Sequence, residues 1–259
     1  MDNDEQEVLE FFESVGFTVK KIPESSEESP DFLIVDEESK VLVELKTKLD
    51  SESLINKRES KLEKGEMFEK STVLKRTNTL SGIIRKASSQ LASQKEKHDA
   101  DFCFVYLQAM GIHSSEKLTQ FEVSLFGSKD IILMGGGDPD IKTCYYFTHS
   151  DFFNNRQVLD GAFIFGENSG RLCINSLSPN YKRVIESKFV NRFWPGVLDP
   201  NEQESSGKAY ILDADLPRSD DVALKEYLQE KYDLPKIVPF NWPHISVISR
   251  LPADGENEF

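Results

Sequence analysis

Residues 29–48, SPDFLIVDEESKVLVELKTK, constrain the fold more than any other stretch of the chain. Two apolar runs, Phe32–Val35 and residues 41–43, flank the acidic turn Asp36-Glu37-Glu38-Ser39, which is the pattern of two strands joined tightly. Asp31 follows Pro30 at the start of the first strand, and Glu44-Leu45-Lys46 closes the second. Alternation along a strand puts Glu44 and Lys46 on one face and Leu45 on the other. The hairpin therefore brings one Asp, one Glu and one Lys to the same end of a sheet. Two carboxylates suit a hard divalent cation such as Mg²⁺. A lysine beside that cation can orient or deprotonate a water, an apparatus fit for metal-assisted hydrolysis of a phosphodiester.

The elements around the hairpin are consistent with an α/β fold. The spacing of Val8, Leu9, Phe11, Phe12 and Val15 predicts a helix over residues 4–15 that stops at Gly16, followed by a strand over 17–22. Residues 49–78 are polar, with a short helix or two expected, and such a long insertion in a compact fold is usually functional or disordered. A second helix is expected from Asn78 or Thr79 to about His98, with Leu80, Ile83, Ile84, Ala87 and Leu91 as its apolar stripe and Gln90 and Gln94 at the margin. The strand over 101–108 follows at once, an order that favours a parallel crossover. Further strands are expected over 121–126, 130–134, 144–147 and 162–165, a helix start at Ser150, and a helix opened by Ser178-Pro179 and ending near Trp194. The polar stretch 199–207 is the expected boundary between a main domain, residues 1–198, and a small α+β appendage, residues 199–259. That appendage would hold a strand over 209–213, a helix over 220–232 and short strands over 236–240 and 245–248.

The spacing P-D-x12-E-L-K, on a hairpin preceded by a helix, resembles the PD-(D/E)XK nuclease superfamily. The opening helix, from Glu5 to Phe17, further resembles that of archaeal Holliday-junction resolvases. The resemblance implies a restriction-endonuclease-like mixed β-sheet flanked by helices, and a Mg²⁺-dependent nuclease in which Mn²⁺ can substitute. It implies that Asp31, Glu44 and the carbonyl of Leu45 hold the metal, that Lys46 positions or activates the water, and that Glu5 adds a ligand or base. It also makes Gln90 the polar residue carried towards the site by the helix after the E-x-K strand, and Ser25 or Ser26 the counterpart of a loop serine. DNA is favoured over RNA as the substrate. Because nucleases that cut both strands commonly pair, a homodimer is the favoured assembly.

Charge places a condition on that reading. The net charge of −14 opposes a general nucleic-acid surface, whose affinity comes largely from neutralising phosphates. Residues 51–97, however, hold 11 Lys and Arg against 6 Asp and Glu, leaving 20 against 39 elsewhere. Lys57, Arg58, Lys61, Lys64, Lys70, Lys75 and Arg76 of the insertion 51–78 are the candidate phosphate contacts, although interleaved glutamates equally fit a solvated, salt-bridged helix. The acidic body also fits a different class of function, a non-catalytic interaction protein that keeps a nuclease-like fold. Between the two lies a nuclease in a larger complex, for instance in a defence system, whose partner supplies substrate affinity.

Other chemistries lack their signatures. Cys103, Cys144 and Cys173 are widely spaced and fit reduced core thiols, and the four histidines show no metal spacing. No nucleophile elbow or dinucleotide fingerprint occurs, and the turn Gly135-Gly-Gly-Asp-Pro139 lacks the Gly-Lys-Ser/Thr of a phosphate loop. No apolar run reaches membrane-spanning length and the first residues lack signal-peptide character, so a cytoplasmic protein with no membrane partner is expected.

Overall fold

The hairpin forms as expected, inside a larger sheet. The computed structural model describes residues 3–23, 29–72, 76–112, 114–134, 140–167, 169–240 and 245–249. Helix α1 (Asn3–Ser14) precedes β1 (Thr18–Lys21), and the hairpin itself is β2 (Phe32–Val35) with β3 (Lys40–Lys48). Then come α2 (Glu52–Leu62), β4 (Phe68–Thr72), α3 (Asn78–Gln94) and β5 (Phe102–Ala109). The middle of the chain supplies α4 (Ser114–Phe126), β6 (Lys129–Met134), β7 (Ile141–Tyr145), α5 (Asp151–Asn154), β8 (Gly161–Phe165) and β9 (Gly170–Ile174). The rest holds α6 (Tyr181–Glu186), α7 (Lys188–Asn191), β10 (Val197–Leu198), α8 (Pro200–Ser205), β11 (Ala209–Ile211), α9 (Asp221–Tyr232), β12 (Lys236–Phe240) and β13 (Ile245–Ser249).

The main sheet is mixed, in the order β1-β2-β3-β5-β8-β9-β10. Its first three strands form an antiparallel meander, whereas β3, β5 and β8 run parallel. Parallel neighbours need a long crossover, and α3 supplies it between β3 and β5. Each face of the sheet is covered by helices. On one face Leu42, Cys103, Val105 and Leu107 pack with Leu80, Ile84, Ala87 and Leu91 of α3 and with Phe121 and Leu125 of α4. On the other, Phe32, Val43, Phe104, Tyr106 and Phe163 pack with Val8 and Phe12 of α1 and with Phe189 and Val190 of α7.

Local chemistry sets the helix ends nearest the hairpin. Gly16 ends α1 at φ +89, a conformation that side chains rarely adopt, and a Cβ there would lie 2.8 Å from the guanidinium of Arg192. Ser51 caps α2 by accepting from the Leu54 N–H, and Thr77 caps α3 by accepting from the Leu80 N–H. A second sheet, β11-β7-β6-β12, packs on α9 through Ile131, Cys144, Leu212, Leu224, Leu228 and Ile237. Its two outer strands, β11 and β12, follow residue 199, and its inner two precede it. Finally, β13 pairs antiparallel with β4.

The structure departs from the sequence reading in several places. Residues 121–126 are the end of helix α4, not a strand. The alternation of Phe121, Val123 and Leu125 suggests a period of two, but the buried set Glu116, Gln120, Phe121, Ser124 and Leu125 has helical spacing. The helix expected from Ser178 starts at Tyr181 and breaks at Ser187, whose extended backbone separates α6 from α7. Strands β4, β9 and β10 went unanticipated. All three cysteines are free and buried, as expected. No helix among the described residues is long and apolar enough to cross a membrane.

Candidate active site

Strand register assembles the site. Phe32 lies opposite Val43, which brings Asp31, one residue earlier, level with Glu44. Asp31 Oδ2 accepts the Leu45 N–H at 2.7 Å, so the backbone of β3 itself anchors the carboxylate. Glu44 and Lys46 share the face of Leu42, under α3, while Leu45 packs with the α1 face. Lys46 Nζ donates to Glu44 Oε1. The other carboxylate oxygen, Glu44 Oε2, is buried and has no hydrogen-bond partner among the described residues.

These surroundings change how the acids hold their protons. Burial pushes the Glu44 carboxyl up to about 7, the neighbouring Asp31 charge pushes the same way, and Lys46 only partly offsets them. Asp31 is also raised, by burial first, while the Leu45 N–H and the Lys46 charge oppose the shift and the charge of Glu5 adds to it. Burial raises both carboxyls and the Asp31 charge adds to the rise at Glu44, so the pair favours either a proton or a cation between them.

Two further residues implied by the resemblance come to the same place. Glu5 of α1 is ion-paired with Lys21 at the end of β1, and Lys21 lies opposite Phe32 in the sheet. Gln90 of α3 is buried, and its amide donates to the carbonyl of Ser29 at 3.3 Å, tying α3 to the segment that enters Asp31. The structure thus gathers Asp31, Glu44, Leu45, Lys46, Glu5 and Gln90 around one end of the hairpin.

The basic candidates are more dispersed. Lys57, Arg58 and Lys61 lie on α2 and Lys64 in the turn after it. Lys70 on β4 bonds Glu116 at 2.9 Å. Arg76 faces Asp151 at 3.6 Å and lines a separate polar cavity with Arg85. Lys75, Ser25, Ser26 and the turn at 135–139 lie outside the described residues. Sequence reasoning missed Lys21, whose pairing with Glu5 spans 16 positions. It also missed Lys48, although the same alternation that selects Glu44 and Lys46 extends to it.

The residues fit a hard divalent cation better than a fully ligated metal centre. Among the described residues no group of three or more His, Cys, Asp or Glu is placed to hold a metal ion. Mg²⁺ does not require one, because it is usually held by one or two carboxylates with waters and substrate phosphates completing its shell. Asp31 and Glu44 supply two carboxylates, and the unpartnered Glu44 Oε2 is an acceptor that a cation would satisfy.

No family model matches the chain, and no curated protein matches it. Among solved structures the chain is similar to Hjc, a Holliday junction resolvase from the archaeal hyperthermophile Archaeoglobus fulgidus, with 13% identity and a TM-score of 0.24. The likeness covers 40% of this chain and 66% of that one. At that TM-score it carries no argument, and the site stands on its own residues.

Proposed function

We propose that the chain is a Mg²⁺-dependent nuclease of the PD-(D/E)XK type, most simply a DNA endonuclease. The observation that carries this reading is the pair of half-buried Asp31 and buried Glu44, both carboxyls raised, with Lys46 bonded to Glu44. Asp31, Glu44 and the Leu45 carbonyl are the residues that would hold Mg²⁺ or Mn²⁺. When bound, the ion would polarise a phosphoryl oxygen and lower the pKa of a water. Lys46 has three donors and no acceptor, and one of them is engaged by Glu44. Its remaining donors can orient the attacking water or hold an oxygen of the scissile phosphate as negative charge builds there. Glu5 adds negative charge beside Asp31 and steadies Lys21. Gln90 fixes the entry to Asp31.

The test is cleavage of a panel of DNA and RNA substrates with Mg²⁺ or Mn²⁺, by the wild type and by Asp31→Ala, Glu44→Ala and Lys46→Ala. Metal-dependent cutting lost in all three variants is expected. Wild-type protein that cuts nothing with either ion refutes the proposal. A second reading, an interaction protein that keeps this fold, has the net charge of −14 in its favour. It predicts that no divalent ion binds between Asp31 and Glu44 at millimolar concentration.

A further inference from the structure

Past Lys46 the α3 side of β3 leads to a cavity of 340 Å³ that the chemistry above does not use. Lys48, the next residue of β3 on the face of Glu44 and Lys46, forms part of its wall. The cavity lies by the carboxyl ends of the parallel strands β3 and β5, the position where open α/β sheets receive ligands. Leu49, Leu54 and Leu80 give it apolar surface, and Thr77, Thr79 and Gln120 give it hydroxyl and carboxamide groups.

Its charges are mostly cancelled. Lys70 pairs with Glu116 at 2.9 Å and Lys117 with Asp50 at 2.6 Å. Lys48 alone of the lining lysines has no carboxylate partner among the described residues. An interior with neutralised charge, apolar walls and a few hydrogen-bonding groups suits an uncharged polar ring better than a free anion, and its volume is that of a small-ligand site. Lys48 stands two residues from Lys46, about 7 Å along the strand. That separation is comparable to one step along an extended nucleotide chain.

We infer that this cavity takes a nucleobase unstacked from the strand being cut, while Lys48 meets the phosphate next to the scissile one. The inference rests on the nuclease reading of Asp31, Glu44 and Lys46. It narrows the substrate to nucleic acid with an unpaired nucleotide at the cleavage position. Extruding a base costs least where it is already unpaired, so the cavity selects bulges, loops and single-stranded segments over continuous duplex.

Two labelled DNA duplexes of one sequence, one fully paired and one with a single-nucleotide bulge, provide the test by fluorescence anisotropy in Ca²⁺, which withholds cleavage. The wild type is expected to bind the bulged duplex about fivefold or more tightly. Thr79 is exposed and lines the cavity. Thr79→Trp, checked for folding by its thermal melt, should erase that preference and leave affinity for the paired duplex within about twofold of wild type. Leu54→Trp plugs the same cavity from α2 and should act alike. Lys48→Ala should weaken both duplexes equally and reduce the salt slope by about one. Equal binding or no binding of the two duplexes by the wild type overturns the inference, as does a preference that survives both tryptophans. Cleavage of the same duplexes in Mg²⁺ is read separately. Bulge preference without cutting sinks the nuclease reading and spares the cavity, whereas cutting without preference does the reverse.

Discussion

The two faces of the seven-stranded sheet are built from the same strands and serve opposite ends. The face under α1 and α7 is sealed with rings. Phe163 packs within 5.2 Å of Phe12 and 4.9 Å of Phe193, centroid to centroid, and Phe104, Tyr106 and Phe189 join the same cluster. The face under α3 is apolar only in its lower part. Towards the end of β3 it carries Glu44, Lys46 and Lys48 in alternation, with buried Gln90 above and a half-polar cavity beyond. Glu44 tolerates such depth by pairing with Lys46 and by a carboxyl pushed up to about 7. Over residues 43–46 of β3, the odd positions pack and the even positions carry charge.

That division can be broken from either side. The largest effect is expected on the ring face, where Phe163→Ala should cost about 3–5 kcal/mol in urea unfolding, because it empties a fully buried site that packed neighbours cannot refill. Next, Lys46→Ala should cut the cleavage rate about 10²-fold or more, while its unfolding midpoint stays close to wild type. A large loss of stability in Lys46→Ala would show that the two faces are not separable.

Glu44→Gln is the sharper test, because activity and stability should move in opposite directions. A carboxyl raised from 4.5 to about 7 holds its proton more tightly folded than unfolded. Its contribution to stability is therefore full below pH 4.5 and disappears as pH rises through about 7. Without divalent ion, the wild type should lose roughly 3 kcal/mol across that window relative to Glu44→Gln, as read from unfolding curves at several pH values. Parallel pH profiles for the two proteins would refute the buried-acid account. The smallest effect is expected from Gln90→Ala, about 1 kcal/mol, since it deletes one hydrogen bond to Ser29. Amide exchange should localise that loss to the entry of β2.

The hairpin was legible in the sequence because everything that makes it is local: two apolar runs, an acidic turn and the period of two that sorts Glu44 and Lys46 from Leu45. Helix α3 was legible for the same reason, with an unbroken stripe from Leu80 to Leu91. What was lost depends on distant partners. The Glu5–Lys21 pair joins a helix to a strand edge, and β11 enters its sheet beside β7, from which α5 to α8 separate it in sequence. The sequence of β4, FEKST, and of β9, GRLCI, mixes charge into short strands whose pairing decides their state. Helix α4 was misread because buried Gln120 and Ser124 hide its stripe.

The pairing of β4 with β13 has a bearing on synthesis. Strand β4 carries Lys70, part of the cavity wall, and the partner of Lys70 in the ladder is Val247. A nascent chain emerging from the ribosome completes Asp31, Glu44 and Lys46 early. Strand β13, which pairs with that wall, follows every other described element in the chain. An unpaired β4 would gain little stability by itself, since even a two-stranded pair is marginal in water. Until β13 has been made, Asp31, Glu44 and Lys46 therefore stand beside a cavity wall that lacks its ladder partner. The order of the chain thus completes the hairpin well before the wall of the neighbouring cavity.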